Sequence, residues 1–255
     1  MRPQISWHRG GTELVSSATL AAFETAAEQG AEWIEVDVRR TADGMLVCVH
    51  DPHVPGLGEV AALDYSSLSC DERDKVPTLA EFLEALKRGG ERASDPVGSG
   101  VHLDLKGTGH EREAVEAIRK SGRGVFVTTR HDKSIELVRA SWADVGALLS
   151  LPCVEAGHGL VGLARRWAHD LWPYGRLKRS AATGIAAQHL LANVLLRRWC
   201  GRRGLTVLVW TVDSTKGLQR WLARANVDIV TTNRPMAALR LRQGPDVALV
   251  RRETA

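Results

Sequence analysis

The chain has 255 residues, 44% of them hydrophobic and 25% charged, with a formal net charge of +4. That is enough chain and enough apolar content for one large α/β domain with a sizeable core. No apolar run approaches the ~20 residues of a membrane span, and the start, MRPQISWHRGG, lacks the apolar segment of a secretion signal, so a cytoplasmic location is expected.

In chain order, QISWH (4–8) reads as a strand and ATLAAFETAAEQG (18–30) as an Ala-rich helix stopped by Gly30. WIEVDV (33–38) is a second strand. TADG (41–44) turns the chain at Asp43-Gly44, so MLVCVH (45–50) is expected to run antiparallel to it or to form a short extension. Residues 51–77 read as loop. TLAEFLEALKRGG (78–90) is a helix in which Thr78 and Glu81 form a capping box and Gly89 marks the end. ERASDPVGSG then reads as a flexible connection.

VHLDLK (101–106) is a strand, and EREAVEAIRKSG (111–122) is a helix with acids early and bases late. The alternation continues through strands GVFVTT, VGALLSL, GIAAQHL, LTVLVWTV and VDIVTT. Between them lie helices DKSIELVRASW, a long basic stretch at about 159–182, ANVLLRRWCGRRG, TKGLQRWLARAN and, last, PMAALRLRQ with Pro235 at its first position. Continuous apolar strands alternating with helices imply a parallel sheet covered by helices. About eight such units with no composition break point to a (β/α)8 TIM barrel in a single domain spanning 1–255. The alternative, a doubly wound open sheet, lacks a G-x-G-x-x-G after the first strand.

Charge is unevenly spread. Residues 1–124 hold 14 basic and 21 acidic side chains; residues 125–255 hold 20 and 9. The basic excess reads as solvated helix faces or as attraction to an anionic partner, such as peripheral contact with an anionic membrane or a phosphorylated substrate. No motif of a nucleic-acid-binding fold is present, so nucleic acid is not an expected partner. Nothing in the sequence sets an oligomeric state. Cys48, Cys70, Cys153 and Cys200 are far apart, with no C-x-x-C pair. Reduced and mostly buried thiols are expected rather than a zinc site.

Polar residues fall where a barrel keeps its chemistry, at the C-terminal ends of strands. His8 and Arg9 follow the first strand. Glu35 and Asp37 share a face of the second, because strand side chains alternate. His50 ends the next extended stretch, Asp104 and Lys106 share a face of VHLDLK, and Trp210 nears the end of LTVLVWTV. Any one of these has an ordinary structural reading: a buried strand-end histidine, a salt-bridged carboxylate, a solvated lysine, a core tryptophan. Together they describe a site. Three carboxylates without thiolates suit Mg²⁺ or Ca²⁺, and like charges so close require a cation among them. Two histidines can divide acid and base work. Arg9 and Lys106 can hold a phosphate, and Gly10 and Gly11 permit close backbone approach. That combination fits phosphoester cleavage.

At these residues the chain resembles the glycerophosphodiester phosphodiesterase family. HRGG (8–11), TLAAFETAAEQGAEWIEVDVRRTADGMLVCVHDP (19–52), VPTLAEFLEAL (76–86), HLDLK (102–106), VWTVD (209–213) and VDIVTTNRP (227–235) fall in the family's order. The likeness is dense over 5–106 and returns over 205–235. It implies a TIM barrel with a divalent cation held by Glu35, Asp37 and Asp104, and His8 and His50 as the acid–base pair. It further implies Arg9 and Lys106 on the phosphate and Trp210 beside the alcohol. The implied reaction converts a glycerophosphodiester or a related small phosphodiester to glycerol 3-phosphate and an alcohol, and a lysophospholipid is a further candidate substrate. Two other readings remain: a phospholipase D-like lyase that stops at a cyclic phosphate, and a barrel that binds a phosphorylated ligand without turnover. Some positions depart from the family pattern. Ser17-Ala18-Thr19 stands for Glu-Asn-Thr, and HVPGLGEV replaces an Arg-containing stretch. Asp104 stands for Glu, Asn233 for the Asp of the last strand, and Asp213 for the Asn after Thr-Val.

Overall fold

The computed structural model describes residues 2–93, 98–151, 173–192 and 194–243. Eight parallel strands close on themselves: β1 (Gln4–Trp7), β2 (Trp33–Arg40), β6 (Gly100–Leu105), β7 (Val125–Thr129), β8 (Gly146–Ser150), β9 (Gly184–Gln188), β10 (Thr206–Trp210) and β11 (Ile229–Thr232). The first strand joins the barrel's two ends. It pairs with β11 from Gln4 opposite Ile229 to Trp7 opposite Thr232, and with β2 through Ser6 and Trp7. The expected (β/α)8 TIM barrel is therefore the fold.

A helix follows each strand: α1 (Leu20–Glu28), α3 (Leu79–Ala93), α4 (Glu111–Lys120), α5 (Asp132–Ser141), α6 (Tyr174–Ser180), α7 (Val194–Gly201), α8 (Thr215–Leu222) and α9 (Pro235–Gln243). Alternate strand residues such as Ile34, Val36, Val38, Leu103, Leu105, Val207 and Val209 point outward and pack with these helices in one large core. A second, smaller core fills the barrel's interior with Phe126, Leu148, Ala186, Leu208 and Ile229. Above it the interior turns polar: Ser6, Glu35, Asp37, His102, Thr128 and Thr231 are all buried. Hydrophobic burial thus holds the helices on from outside and leaves the mouth side of the lumen for charged groups.

Local signals explain most boundaries. Thr19 caps α1 by accepting from Ala22 N–H at 3.1 Å. Thr78 and Glu81 form the expected capping box: Glu81 Oε2 accepts from Thr78 N–H at 2.7 Å, and Glu81 N–H donates back to Thr78 Oγ1 at 3.1 Å.

Three expectations need correction. Helix α3 does not end at Gly89 but runs to Ala93, because Gly89 is needed at its contact with α1. A Cβ there would lie 2.1 Å from the Glu24 carbonyl oxygen. Of MLVCVH only β3 (Leu46–Val47) is strand, antiparallel to the end of β2; beyond it, Cys48 N–H donates to Pro77 O instead of a strand partner. Residues 51–77 are more than loop. They hold a small antiparallel pair, β4 (His53–Val54) and β5 (Gly58–Glu59), and a short helix α2 (Cys70–Arg73). Val47, Val54, Val60, Tyr65 and Val76 pack beneath them as a separate cluster. As expected, the described cysteines are free and mostly buried: Cys48 and Cys200 are buried and Cys70 is exposed. Cys153 and most of the basic stretch at 159–182 lie outside the described residues. Among the described residues no helix is long and apolar enough to cross a membrane.

Candidate active site

Pairing in register brings the acidic residues together. On β2 the outward side chains are Ile34, Val36 and Val38, so Glu35 and Asp37 must point into the lumen. β6 lies beside it with Asp37 opposite Asp104. Glu35, Asp37 and Asp104 each offer an oxygen within 4.8 Å of the others. Glu35 and Asp37 are buried and Asp104 is partly exposed.

HRGG is shaped by tight packing. His8–Gly10 form a 3₁₀ turn with Arg9 at φ 50° and Gly10 and Gly11 at 80° and 84°. A Cβ on Gly10 would sit 2.8 Å from the Ala22 carbonyl carbon of α1, and one on Gly11 2.9 Å from Pro235 Cγ of α9. Arg9 itself occupies a left-handed conformation that costs an ordinary residue on the order of 1–3 kcal/mol. That conformation delivers the Arg9 N–H to Glu35 Oε2 at 2.9 Å, while the Arg9 Nε lies 2.8 Å from Asp37 Oδ2.

Lys106 completes the charge set, with its Nζ 2.9 Å from Asp37 Oδ1 and 2.6 Å from Asp104 Oδ2. His8 enters from the β1 side. Its Nε2 is 3.9 Å from Glu35 Oε2 and its Nδ1 is 2.7 Å from Asn233 Oδ1. His50 enters from the loop after β3. Arg39 holds that loop, donating from Nε and Nη2 to His50 O at 2.9 and 2.7 Å, and His50 Nδ1 lies 2.7 Å from Asp51 Oδ1. Trp210 closes one wall. All eight predicted residues line one cavity of about 520 Å³, floored by Ala186 and Leu208.

Charge and burial compete here. Burial pushes the Glu35 carboxyl well above its ordinary value, and Asp37 and Asp104 push it further. Burial also pushes Asp37 up, but the Lys106 and Arg9 cations outweigh it and hold Asp37 below the usual carboxylate range. His8 is lowered by burial, which favours its neutral form. Beneath the cluster His102 is fully buried and held neutral, pushed down to about 3 by burial. It is spanned by Ser6 Oγ at 2.9 Å and Thr128 Oγ1 at 3.0 Å, with Phe126 stacked on its ring.

Lysine and arginine pair with the cluster, but two of these contacts are poorly aligned. Asp37 Oδ1 and Arg9 Nε lie within ion-pair distance of their partners, yet neither makes a well-aligned hydrogen bond. An all-oxygen set of three mutually repelling carboxylates within 4.8 Å of one another fits a hard divalent cation.

Several cavity residues are absent from the sequence reading. Arg39 shares the inward face of Asp37 two residues on, and Asp51 adjoins His50. Arg130 and His131 follow the end of β7, the position where strand-end reasoning looks for function.

The sequence matches the glycerophosphoryl diester phosphodiesterase family over residues 8–237. The chain belongs to the glycerophosphoryl diester phosphodiesterase family. Its enzyme class is therefore phosphoric diester hydrolase. A glycerophosphodiester phosphodiesterase of Caldanaerobacter subterraneus subsp. tengcongensis is 27% identical over 262 residues, covering 94% of this chain and 98% of the relative. Among solved structures, an Oleispira antarctica phosphodiesterase in complex with the product sn-glycerol-3-phosphate superposes with a TM-score of 0.71. It is 19% identical and covers 95% of this chain and 98% of that one. A glycerophosphodiester phosphodiesterase of Parabacteroides distasonis gives a TM-score of 0.73 at 20% identity, with 95% and 97% covered. These two likenesses concern the barrel.

Proposed function

We propose that this family member hydrolyses a glycerophosphodiester to glycerol 3-phosphate and an alcohol, or a lysophospholipid to its acyl-glycerol phosphate and an alcohol. Glu35, Asp37 and Asp104 would hold Mg²⁺ or Ca²⁺, with His8 and His50 as base and acid. The carrying observation is the convergence of three carboxylate oxygens within 4.8 Å on a cavity that two histidines also line. The name of the Caldanaerobacter relative and the product in the Oleispira barrel support the same substrate class.

The chain's own groups divide the work. A bound divalent cation would supply Lewis-acid polarisation of the phosphoryl oxygens and offset their charge. Arg9 and Lys106 neutralise the carboxylates around the site and can turn toward the phosphate's non-bridging oxygens. His8, buried and favoured neutral, accepts the proton of the attacking hydroxyl. His50, whose Nδ1 faces the Asp51 carboxylate, gives a proton to the departing alkoxide. The attacking hydroxyl is the neighbouring one of the substrate's glycerol: its new P–O bond replaces that of the departing alcohol and leaves a cyclic phosphate, which water then opens, giving its proton to His50 while the released glycerol oxygen takes one back from His8. Trp210 and Leu208 give the alcohol an apolar wall. The basic C-terminal half, with Arg198, Arg202 and Arg203 exposed, is suited to an anionic membrane surface from the cytoplasmic side.

Phosphorus NMR on a panel of glycerophosphodiesters and lysophospholipids tests this reading. Glycerol 3-phosphate, or acyl-glycerol phosphate from a lysophospholipid, is expected to grow with Mg²⁺ or Ca²⁺ and to stop with chelator. Full activity after thorough chelation would remove the cation from the proposal, and a cyclic phosphate that never opens would replace hydrolysis by cyclising transfer.

A further inference from the structure

The two positions that depart from the family pattern in opposite senses, Asp213 and Asn233, touch each other. Asp213 follows β10 and Asn233 follows β11. Asp213 Oδ2 is 2.8 Å from the Asn233 side-chain nitrogen, and Asp213 Oδ1 accepts from Asn233 N–H at 2.9 Å and from Thr232 Oγ1 at 3.2 Å. Arg234 Nη1 donates to Asp213 O at 3.1 Å. At its other side the Asn233 carbonyl accepts from Thr12 N–H and Thr12 Oγ1 at 2.9 and 3.1 Å. Asn233 is therefore tied down from both flanks, and its amide lies between Asp213 and His8.

The chemistry of these contacts leaves one arrangement. An ionised carboxylate only accepts, so the Asn233 group facing Asp213 must be its NH₂. The amide oxygen then faces His8 Nδ1 at 2.7 Å. An amide oxygen cannot donate, so Nδ1 must carry the hydrogen. A neutral imidazole has a single N–H, which leaves the Nε2 lone pair on the side of Glu35 and the cavity. We infer that Asp213, acting through Asn233, is a positioning residue that fixes His8 in the Nδ1–H form, so that Nε2 is the atom available to take a proton. This rests on the role of His8 proposed above, but its structural half can be measured without turnover.

Asp213→Asn is nearly isosteric and makes the sharp test. The substituted side chain can still accept from the Asn233 N–H and Thr232 through its oxygen. Its NH₂ then meets the Asn233 side chain, whose oxygen turns toward it and whose NH₂ turns toward His8. The imidazole must answer with a lone pair on Nδ1 and the hydrogen on Nε2. Nitrogen-15 NMR of ring-labelled protein, at alkaline pH where the imidazole is neutral, reads the two forms directly. Wild type is expected to show Nδ1–H and Asp213→Asn to show Nε2–H. The variant's kcat should fall by about 10²–10⁴-fold with KM little changed, the loss known for a catalytic histidine held in the wrong tautomer. The double variant Asp213→Asn/Asn233→Asp returns an acceptor to His8 Nδ1, and it should recover both the Nδ1–H signal and at least about tenfold in kcat.

An Nε2–H signal in wild type would overturn the inference with no variant needed. So would an unchanged tautomer in Asp213→Asn, or a double variant no better than the single. Full activity of His8→Ala would instead overturn the role of His8 and leave the tautomer result standing.

Discussion

Lys106 shows how a buried acidic cluster can be stable without a cation among its carboxylates. Asp37 is buried beside Asp104, and the lysine ammonium sits within 2.9 Å of both. Removing one partner of such a buried pair leaves an uncompensated charge. Lys106→Met is expected to cost the chelated protein about 2–4 kcal/mol, less than a fully buried pair would because the lysine keeps some exposure. Urea denaturation in chelator reads this. Mg²⁺ or Ca²⁺ should raise the variant's stability more than the wild type's, since an added cation then fills the lysine's electrostatic place. Asn233 teaches a related lesson. One side-chain amide joins a carboxylate to an imidazole, and its orientation follows from which of its atoms can donate.

Helix α3 and the turn after β2 show local rules being overruled and kept. Helix propensity alone predicts that Gly89→Ala in α3 should stabilise by about 1 kcal/mol. The packing predicts the reverse, because the added methyl would meet the Glu24 carbonyl oxygen at 2.1 Å and Ala27 Cβ at 2.8 Å. Forcing α1 and α3 apart there would also strain the Phe23–Phe82 edge contact. Gly89→Ala should therefore lower stability by about 2 kcal/mol or more, read as a fall in urea midpoint. The turn at Asp43 follows its local rule instead. Thr41 Oγ1 donates to Asp43 Oδ1 at 2.6 Å, and Ser66 N–H donates to Oδ2 at 3.1 Å. The Thr41 hydroxyl chiefly, with the backbone at Tyr65 and Ser66, holds this exposed carboxyl down at about 2. A folded value below the ordinary 3.8 means the stabilisation is complete above that value and is lost as pH falls toward 2. Asp43→Ala should be less stable at neutral pH and should lose that part of its acid dependence, seen in melting temperature against pH.

The barrel as a whole must be closed, and closure is carried by β1. Glu32, just before β2, accepts from Ile5 N–H of β1 at 2.9 Å and from Arg242 Nη1 of α9 at 2.5 Å; the same Arg242 nitrogen reaches Pro3 O at 3.2 Å. One carboxylate thus ties the first strand to the last helix on the face opposite the site. Glu32→Ala should cost about 1–3 kcal/mol, since it leaves the Ile5 N–H without its acceptor and takes a carboxylate away from the Arg242 guanidinium. Native-state hydrogen exchange at Ile5 should quicken while amides of β7 and β8 change little. If exchange at Ile5 stayed at its wild-type rate, the seam would not depend on this link.

The alternation of eight strands and eight helices, the helix caps and the inward face of Glu35 and Asp37 are all legible in the chain's residue order. Each depends on residues within a few positions: a period of two in strands, a Thr78–Glu81 box, a Pro at a helix start. The acidic cluster is legible for the same reason, because β2 and β6 are strands whose charged residues share a face. The reach of Gly89, the packed cluster under residues 51–77, and the Asp213–Asn233–His8 chain are not. His8 and Asn233 are 225 positions apart in sequence, and only closure of β1 against β11 brings them within hydrogen-bond distance. Short-range periodicity is therefore enough to say which groups share an inward face of the barrel. Which atom of each group faces which partner is settled only in the closed barrel, because those directions come from contacts between distant strands that no local pattern records.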